Sequence, residues 1–256
     1  MKHRLDLPWG LALALPLAPL LLAQGKRVRR VTPLLPEPEG PRTGCLGERH
    51  DGPAASLLIL GDSSAAGVGA AHQDQALSGQ LLARLQGRHD RPLRWKLAAR
   101  TGLRTRDAIA LLEPSERFDL AVIALGVNDV TALQTPAAWL RDVDRLVQHL
   151  AEQHGVQRVL WSGLPPMHRF PALPQPLRAV MGQHARTLDR ALSAHAQSMK
   201  AALPVEHLPL PAMSDASFIA TDGFHPAAGA YALWAQALSG RVLEGLGFGR
   251  VRPSRG

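Results

Sequence analysis

Ser56-Leu57-Leu58-Ile59-Leu60-Gly61-Asp62-Ser63-Ser64-Ala65-Ala66-Gly67-Val68-Gly69 is the stretch on which the reading turns. Its first five residues are almost continuously apolar, without the alternation of a half-exposed strand. Such a run is expected of a strand covered on both faces, as in a parallel sheet flanked by helices. The glycine, the polar pair and the small residues that follow read as a tight turn into a helix. A serine on such a turn has an exposed hydroxyl, and its own N–H can point at a developing oxyanion. A phosphate-binding loop or a plain turn is the other reading. The dinucleotide pattern G-x-G-x-x-G and the lysine of a P-loop are both missing here.

The pattern repeats along the chain. Further apolar runs at Leu93–Ala98, Phe118–Leu125, Gln157–Ser162 and Val205–Leu208 predict strands. Between them Ala76–Leu85, Arg104–Leu112, Ala137–His154, Leu177–Ala202 and Ala227–Leu246 predict helices; Leu77, Leu81, Leu82 and Leu85 show the helical spacing. Strand–helix alternation implies a parallel sheet with helices on both faces. Sites in such sheets form at the carboxyl ends of the strands, so the residues after each strand carry the functional argument.

After the second strand comes Arg100-Thr101-Gly102-Leu103-Arg104, where Gly102 lets the backbone approach a ligand or is an ordinary strand-end glycine. After the third comes Gly126-Val127-Asn128-Asp129. The Asn128 amide can donate to an oxyanion, or the pair can satisfy local turn backbone. Near the C-terminus Asp222-Gly223-Phe224-His225-Pro226 opens the last helix, with proline at its first turn. Asp222 can orient the His225 imidazole and stabilise its protonated form, leaving His225 as general base. Of the eleven histidines, only His225 has an acid three residues earlier.

Together these blocks resemble the SGNH, or GDSL-type, hydrolase superfamily, over residues 56 to about 247. That family carries Ser in a Gly-Asp-Ser turn, a Gly, an Asn in Gly-x-Asn-Asp and a His in Asp-x-x-His; here these are Ser63, Gly102, Asn128 and His225, in that order, with Asp222 in place. Ser64 stands where the family has its namesake leucine, and the second block rests on the single Gly102. The resemblance implies a flavodoxin-like three-layer α/β/α sandwich of about five parallel strands. It implies hydrolysis of acyl esters, or of thioesters or amides, through an acyl-enzyme. Ser63 would be the nucleophile, His225 the base, Asp222 its orienting acid, and Ser63, Gly102 and Asn128 the oxyanion hole. No metal and no organic cofactor is implied. A carbohydrate O-acetylesterase, and a retired hydrolase fold serving as a membrane-tethered binding protein, are the alternatives. Ser64 is a second candidate nucleophile and Asp215 a second candidate acid. Asp62 and Asp129 are candidate acids that also suit backbone binding in turns. In the loop after the fourth strand, Leu164, Met167 and Phe170 are candidates for an acyl pocket, and His168 reads as a loop histidine.

Composition bounds the rest. The chain has 256 residues, 46% apolar and 20% charged, which suits one large or two small domains and excludes a disordered chain. The formal charge of +8 sits at the ends: residues 1–30 hold six basic side chains against Asp6, and the last seven residues hold Arg250, Arg252 and Arg255. Residues 31–249 are neutral, so no continuous cationic surface for nucleic acid is expected. Between Asp6 and Lys26 the chain is uncharged, and Leu7–Gly25 would span roughly 28 Å as a helix, about a hydrocarbon core. With the cluster Lys26–Arg30 behind it, residues 1–30 read as a membrane anchor with a basic flank; the alternative is a cleaved signal and export of the chain. Residues 31–55, rich in proline and glycine, read as an extended linker. The catalytic-type domain then runs over 56–247, with a basic tail at 248–256. The single Cys45 excludes an internal disulfide and has no activating neighbour in the sequence.

Overall fold

The computed structural model describes residues 17–47, 52–199, 203–213 and 215–248. Its centre is a six-stranded sheet in the order β1-β3-β2-β4-β5-β6. The strands are β1 (Thr43–Leu46), β2 (Ala55–Gly61), β3 (Leu93–Ala99), β4 (Leu120–Ala124), β5 (Arg158–Ser162) and β6 (Val205–Leu208). β2 to β6 are parallel, as the apolar runs require, and β1 joins the edge antiparallel to β3. The helices are α1 (Ala18–Val31), α2 (Ser63–Ala66), α3 (Leu77–Leu85), α4 (Val127–Thr131), α5 (Pro136–His154), α6 (Leu177–Met199) and α7 (Ala228–Gly245).

The period of two along each strand divides the core. Leu58, Leu60, Ile123 and Trp161 face α5 and α6, where they meet Trp139, Leu146 and Leu188. Leu57, Ile59, Val122 and Leu160 face α3 and α7, where they meet Leu81, Tyr231 and Leu238. Both sets are fully buried, which is why β2 and β4 read as unbroken apolar runs. Each such leucine contributes about 2 kcal/mol by leaving water.

Two segments differ from the sequence-based expectation. The stretch Arg104–Leu112, expected as an α-helix, is a 3₁₀ helix over Thr105–Leu111. Its buried side chains, Thr105 and Ala108, are three apart, the repeat of the tighter helix. Within residues 31–55, read as a linker, Thr43–Leu46 form β1, and Glu37 and Arg42 bond to the end of β3 and the loop after it. β1 has four residues, Thr43 and Gly44 among them exposed, so it has almost no apolar pattern to betray it. Cys45 lies on it, half-buried.

β2, β3 and β4 end level: Gly61 pairs with Ala99 on one side and Ala124 on the other. The three segments that follow therefore leave the sheet side by side. That alignment builds the site.

Candidate active site

The turn after β2 closes over Gly61. A Cβ there would stand 2.4 Å from the Ala65 Cβ and 2.5 Å from the Ala124 carbonyl oxygen, so only glycine fits. Asp62 caps α2, its Oδ1 accepting from the Ser64 N–H at 2.9 Å and the Ser64 hydroxyl at 2.7 Å. These contacts commit Ser64 to the turn and leave Ser63, 8% exposed, as the hydroxyl facing the histidine. Burial pushes the Asp62 carboxyl up to about 6, against the Ser64 hydrogen bonds that lower it.

On the opposite side the turn before α7 is held by its own aspartate. Asp222 Oδ1 accepts from the N–H groups of Phe224 at 2.9 Å and His225 at 3.0 Å. Its Oδ2 is 2.5 Å from His225 Nδ1, and His225 Nε2 is 2.9 Å from Ser63 Oγ. Burial alone would raise the Asp222 carboxyl, but the hydrogen bonds from His225 and Phe224 and the His225 charge outweigh it and hold it below the ordinary range. An ionised Asp222 only accepts, so Nδ1 carries the proton of the neutral ring. Nε2 is then the acceptor facing the Ser63 hydroxyl. The arrangement can draw a proton from Ser63 and hold it on an imidazolium.

Asn128 lies in the first turn of α4. Its Nδ2 donates to the Leu103 carbonyl at 3.0 Å and stands 3.4 Å from Asp62 Oδ2, beside the serine turn. Gly102 adjoins Leu103 in the loop after β3, and that loop is tied to the serine turn by the Arg100 N–H, 3.2 Å from the Gly61 carbonyl. Gly102 has φ +80°, which L side chains rarely adopt, and open space where a Cβ would be. Of the residues singled out in the sequence, Ser63, Asp222 and His225 form one hydrogen-bonded chain. Asn128 joins through Asp62 and Leu103, and Gly102 through its neighbours.

Other candidates take structural places. Asp215 caps the short turn at Ala216–Phe218 and accepts from Ser217 N–H. Asp129 Oδ2 accepts from the Thr105 N–H at 3.2 Å and hydroxyl at 2.8 Å. His168 contacts Arg186. Met167 is fully buried in the core, whereas Leu164 and Phe170 line the cleft beside Ser63 and His225.

An open cleft leads from Ser63 and His225, walled largely by apolar side chains such as Leu164, Phe170, Leu210, Met213, Phe218 and Trp234. Segments around the site are held by residues that no motif flagged. Asp189 Oδ1 accepts from the Leu164 N–H at 2.8 Å and is 2.8 Å from His207 Nε2. Glu37 binds Thr101, next to Gly102. These act through contacts between segments distant in sequence, so no local pattern marks them.

The chain belongs to the GDSL-like lipase/acylhydrolase family, whose model matches residues 59–233. Among known proteins it is similar to the GDSL-like esterase Rv1075c of Mycobacterium tuberculosis, at 34% identity over 196 residues. That match covers 71% of this chain and spans 60% of the relative's length. The fold is shared with the lipase Lip_vut3 from a goat rumen metagenome (TM-score 0.59, 16% identity, 77% of this chain and 100% of that one). It is shared equally with a family 2 carbohydrate esterase of Corynascus thermopiles (Myceliophthora fergusii), at TM-score 0.58, 17% identity, 77% of this chain and 69% of that one. At such identities the likeness speaks for the fold alone.

Proposed function

We propose that this chain is a serine hydrolase that cleaves acyl esters with an apolar acyl group through an acyl-enzyme. The observation that carries the reading is the unbroken line Asp222–His225–Ser63, at 2.5 and 2.9 Å, ending at the mouth of an apolar cleft. In this reading Ser63 Oγ attacks the ester carbonyl while His225 Nε2 takes its proton. Asp222 holds the ring in the required tautomer and stabilises the imidazolium. The negative charge on the former carbonyl oxygen is met by the N–H groups of Ser63 and Gly102 and by the Asn128 amide. His225 returns the proton to the departing alkoxide. Water, deprotonated by the same nitrogen, then releases the acid and restores Ser63.

The cleft favours alkyl chains over an acetylated sugar. A sugar needs polar partners along its ring, and the walls named above offer almost none. The test is a series of p-nitrophenyl esters from acetyl to dodecanoyl, with Ser63→Ala as control. Turnover that rises with chain length beyond acetyl, and vanishes in the variant, is the expected result. Preference for acetyl esters of glycans would redirect the substrate assignment, and activity surviving Ser63→Ala would refute the nucleophile.

We also infer, from the sequence of residues 7–25 and the Lys26–Arg30 cluster, that the N-terminal segment associates with an anionic membrane. Residues 1–16 lie outside the described ones. No helix among the described residues is long and apolar enough to cross a bilayer. Five of the six exposed large apolar side chains there fall between Leu17 and Leu34, beside the basic cluster, which supports the reading. Co-sedimentation of the full chain with phosphatidylglycerol vesicles, but not in their absence, is the expected outcome; a soluble chain in both would overturn it.

A further inference from the structure

The loop between β3 and the 3₁₀ helix carries Gly102, and two carboxylates outside the Asp222–His225–Ser63 line fix it from either side. On one side Glu37 Oε1 accepts from the Thr101 N–H at 2.7 Å and the Thr101 hydroxyl at 2.8 Å. Glu37 is itself held: its Oε2 accepts from Arg42 Nη1 at 3.0 Å, and Arg42 Nη2 donates to the Ala99 carbonyl at 2.8 Å, at the end of β3. On the other side Asp129 Oδ2 takes both Thr105 donors. The Thr105 hydroxyl oxygen in turn accepts from Trp139 Nε1 at 2.9 Å, so its proton is committed to Asp129. Between the two pinned threonines lie Gly102, Leu103 and Arg104, and the Leu103 carbonyl accepts from the Asn128 amide. Asp129 follows Asn128 directly, so α4 grips this loop with two consecutive side chains.

Donors stabilise an oxyanion only if they are aimed before the charge forms; a loop that must be ordered at the moment of reaction forfeits part of that gain. We propose that Glu37 and Asp129 are positioning residues that clasp Thr101–Thr105, so that the Gly102 N–H and the Asn128 amide converge on one point. The inference rests on the hydrolase reading above. It also makes residues 37–42, which lie outside the stretch 59–233 matched by the family, a working part of the site.

The experiment compares wild type, Glu37→Ala and Glu37→Gln on one p-nitrophenyl ester. It also measures affinity for an alkyl trifluoromethyl ketone, which adds to the serine and places an oxyanion in the hole. Glu37→Ala is expected to lower kcat about tenfold with KM within about twofold, a fraction of the loss caused by deleting a donor outright. Ketone affinity falls by the same factor. Glu37→Gln, whose amide oxygen still accepts from Thr101, restores kcat to within about threefold. A purely structural strut would move the melting temperature and leave both readouts alone. Wild-type kcat and ketone affinity in Glu37→Ala, or a loss confined to KM, overturns the proposal. If the wild-type chain hydrolyses no ester and binds no ketone, the hydrolase reading fails first and takes this one with it.

Discussion

Replacing Asp222 separates its two roles, because its two oxygens do different things. Oδ2 faces His225 Nδ1, and Oδ1 holds the N–H groups of Phe224 and His225. In Asp222→Asn the amide oxygen can keep the two backbone donors. The NH₂ then faces Nδ1, which must become an acceptor, and the ring proton moves to Nε2, where it opposes Ser63. The tautomer is wrong for a base, and in triads of this type that costs about 10⁴ in kcat, or about 5 kcal/mol. Stability should fall less than in Asp222→Ala, because the two backbone donors keep their acceptor and only the carboxylate charge is lost. In Asp222→Ala the base is likewise lost, but the two N–H groups also lose their acceptor. At the low end of the cost for unsatisfied groups, since this turn is half-buried, that is about 2 kcal/mol. For a domain of this size it corresponds to a fall of roughly 4–8 °C in melting temperature. Ester turnover and thermal melting, measured on both variants, separate the two effects. Turnover in Asp222→Asn within about tenfold of wild type would refute the tautomer argument, and equal melting temperatures in the two variants would refute the turn argument.

Asn128→Ala removes one oxyanion donor and is expected to lower kcat about 100- to 1000-fold with little change in KM; a loss under about tenfold in single-turnover assays would assign the donor elsewhere. The buried Asp129 carboxyl is pushed up to about 6, by burial first, with the Thr105 hydrogen bonds opposing it. A carboxylate with a raised folded pKa holds its proton longer in the native state. Stability therefore falls as pH rises from about 3.8 to about 6 and is level above that, the group contributing up to about 3 kcal/mol of the slope. Asp129→Asn should flatten this slope in melting curves taken between pH 4 and 6.5; an unchanged slope would contradict the assignment. Asp222 has the opposite sign: its folded pKa lies below 3.8, so its stabilisation is complete above that pH and lost as pH falls through the folded value. The melting difference between wild type and Asp222→Ala should therefore shrink in acid.

The sheet was legible because β2 and β4 are buried on both faces, and a strand in that position has to be apolar throughout. β1 was not, because an edge strand of four residues with two exposed carries no such constraint. The 3₁₀ helix was read as α because Ala108, Leu111 and Leu112 satisfy either period over so short a span. The residues of the site were legible for a related reason. Ser63, Asn128 and His225 follow strand ends or open a helix, where a polar residue has no packing role to explain it. Glu37 and Asp189 hold backbone from a distance, with His207 against Asp189, and any acid or histidine looks the same in a sequence. The apolar cleft falls between these cases. Leu164 and Phe170 face it as expected, whereas Met167 turns into the core, since the short turn Met167–Arg169 presents successive side chains to different surroundings.

The claim on which the rest depends is that Ser63 is a nucleophile activated by His225. Labelling the folded chain with a fluorophosphonate, and locating the adduct by peptide mass spectrometry, tests it directly. The account predicts a single phosphonylated residue, Ser63, with labelling slowed at least about 100-fold in a folded His225→Ala variant. Labelling at another serine, or equal rates with and without the imidazole, would contradict it.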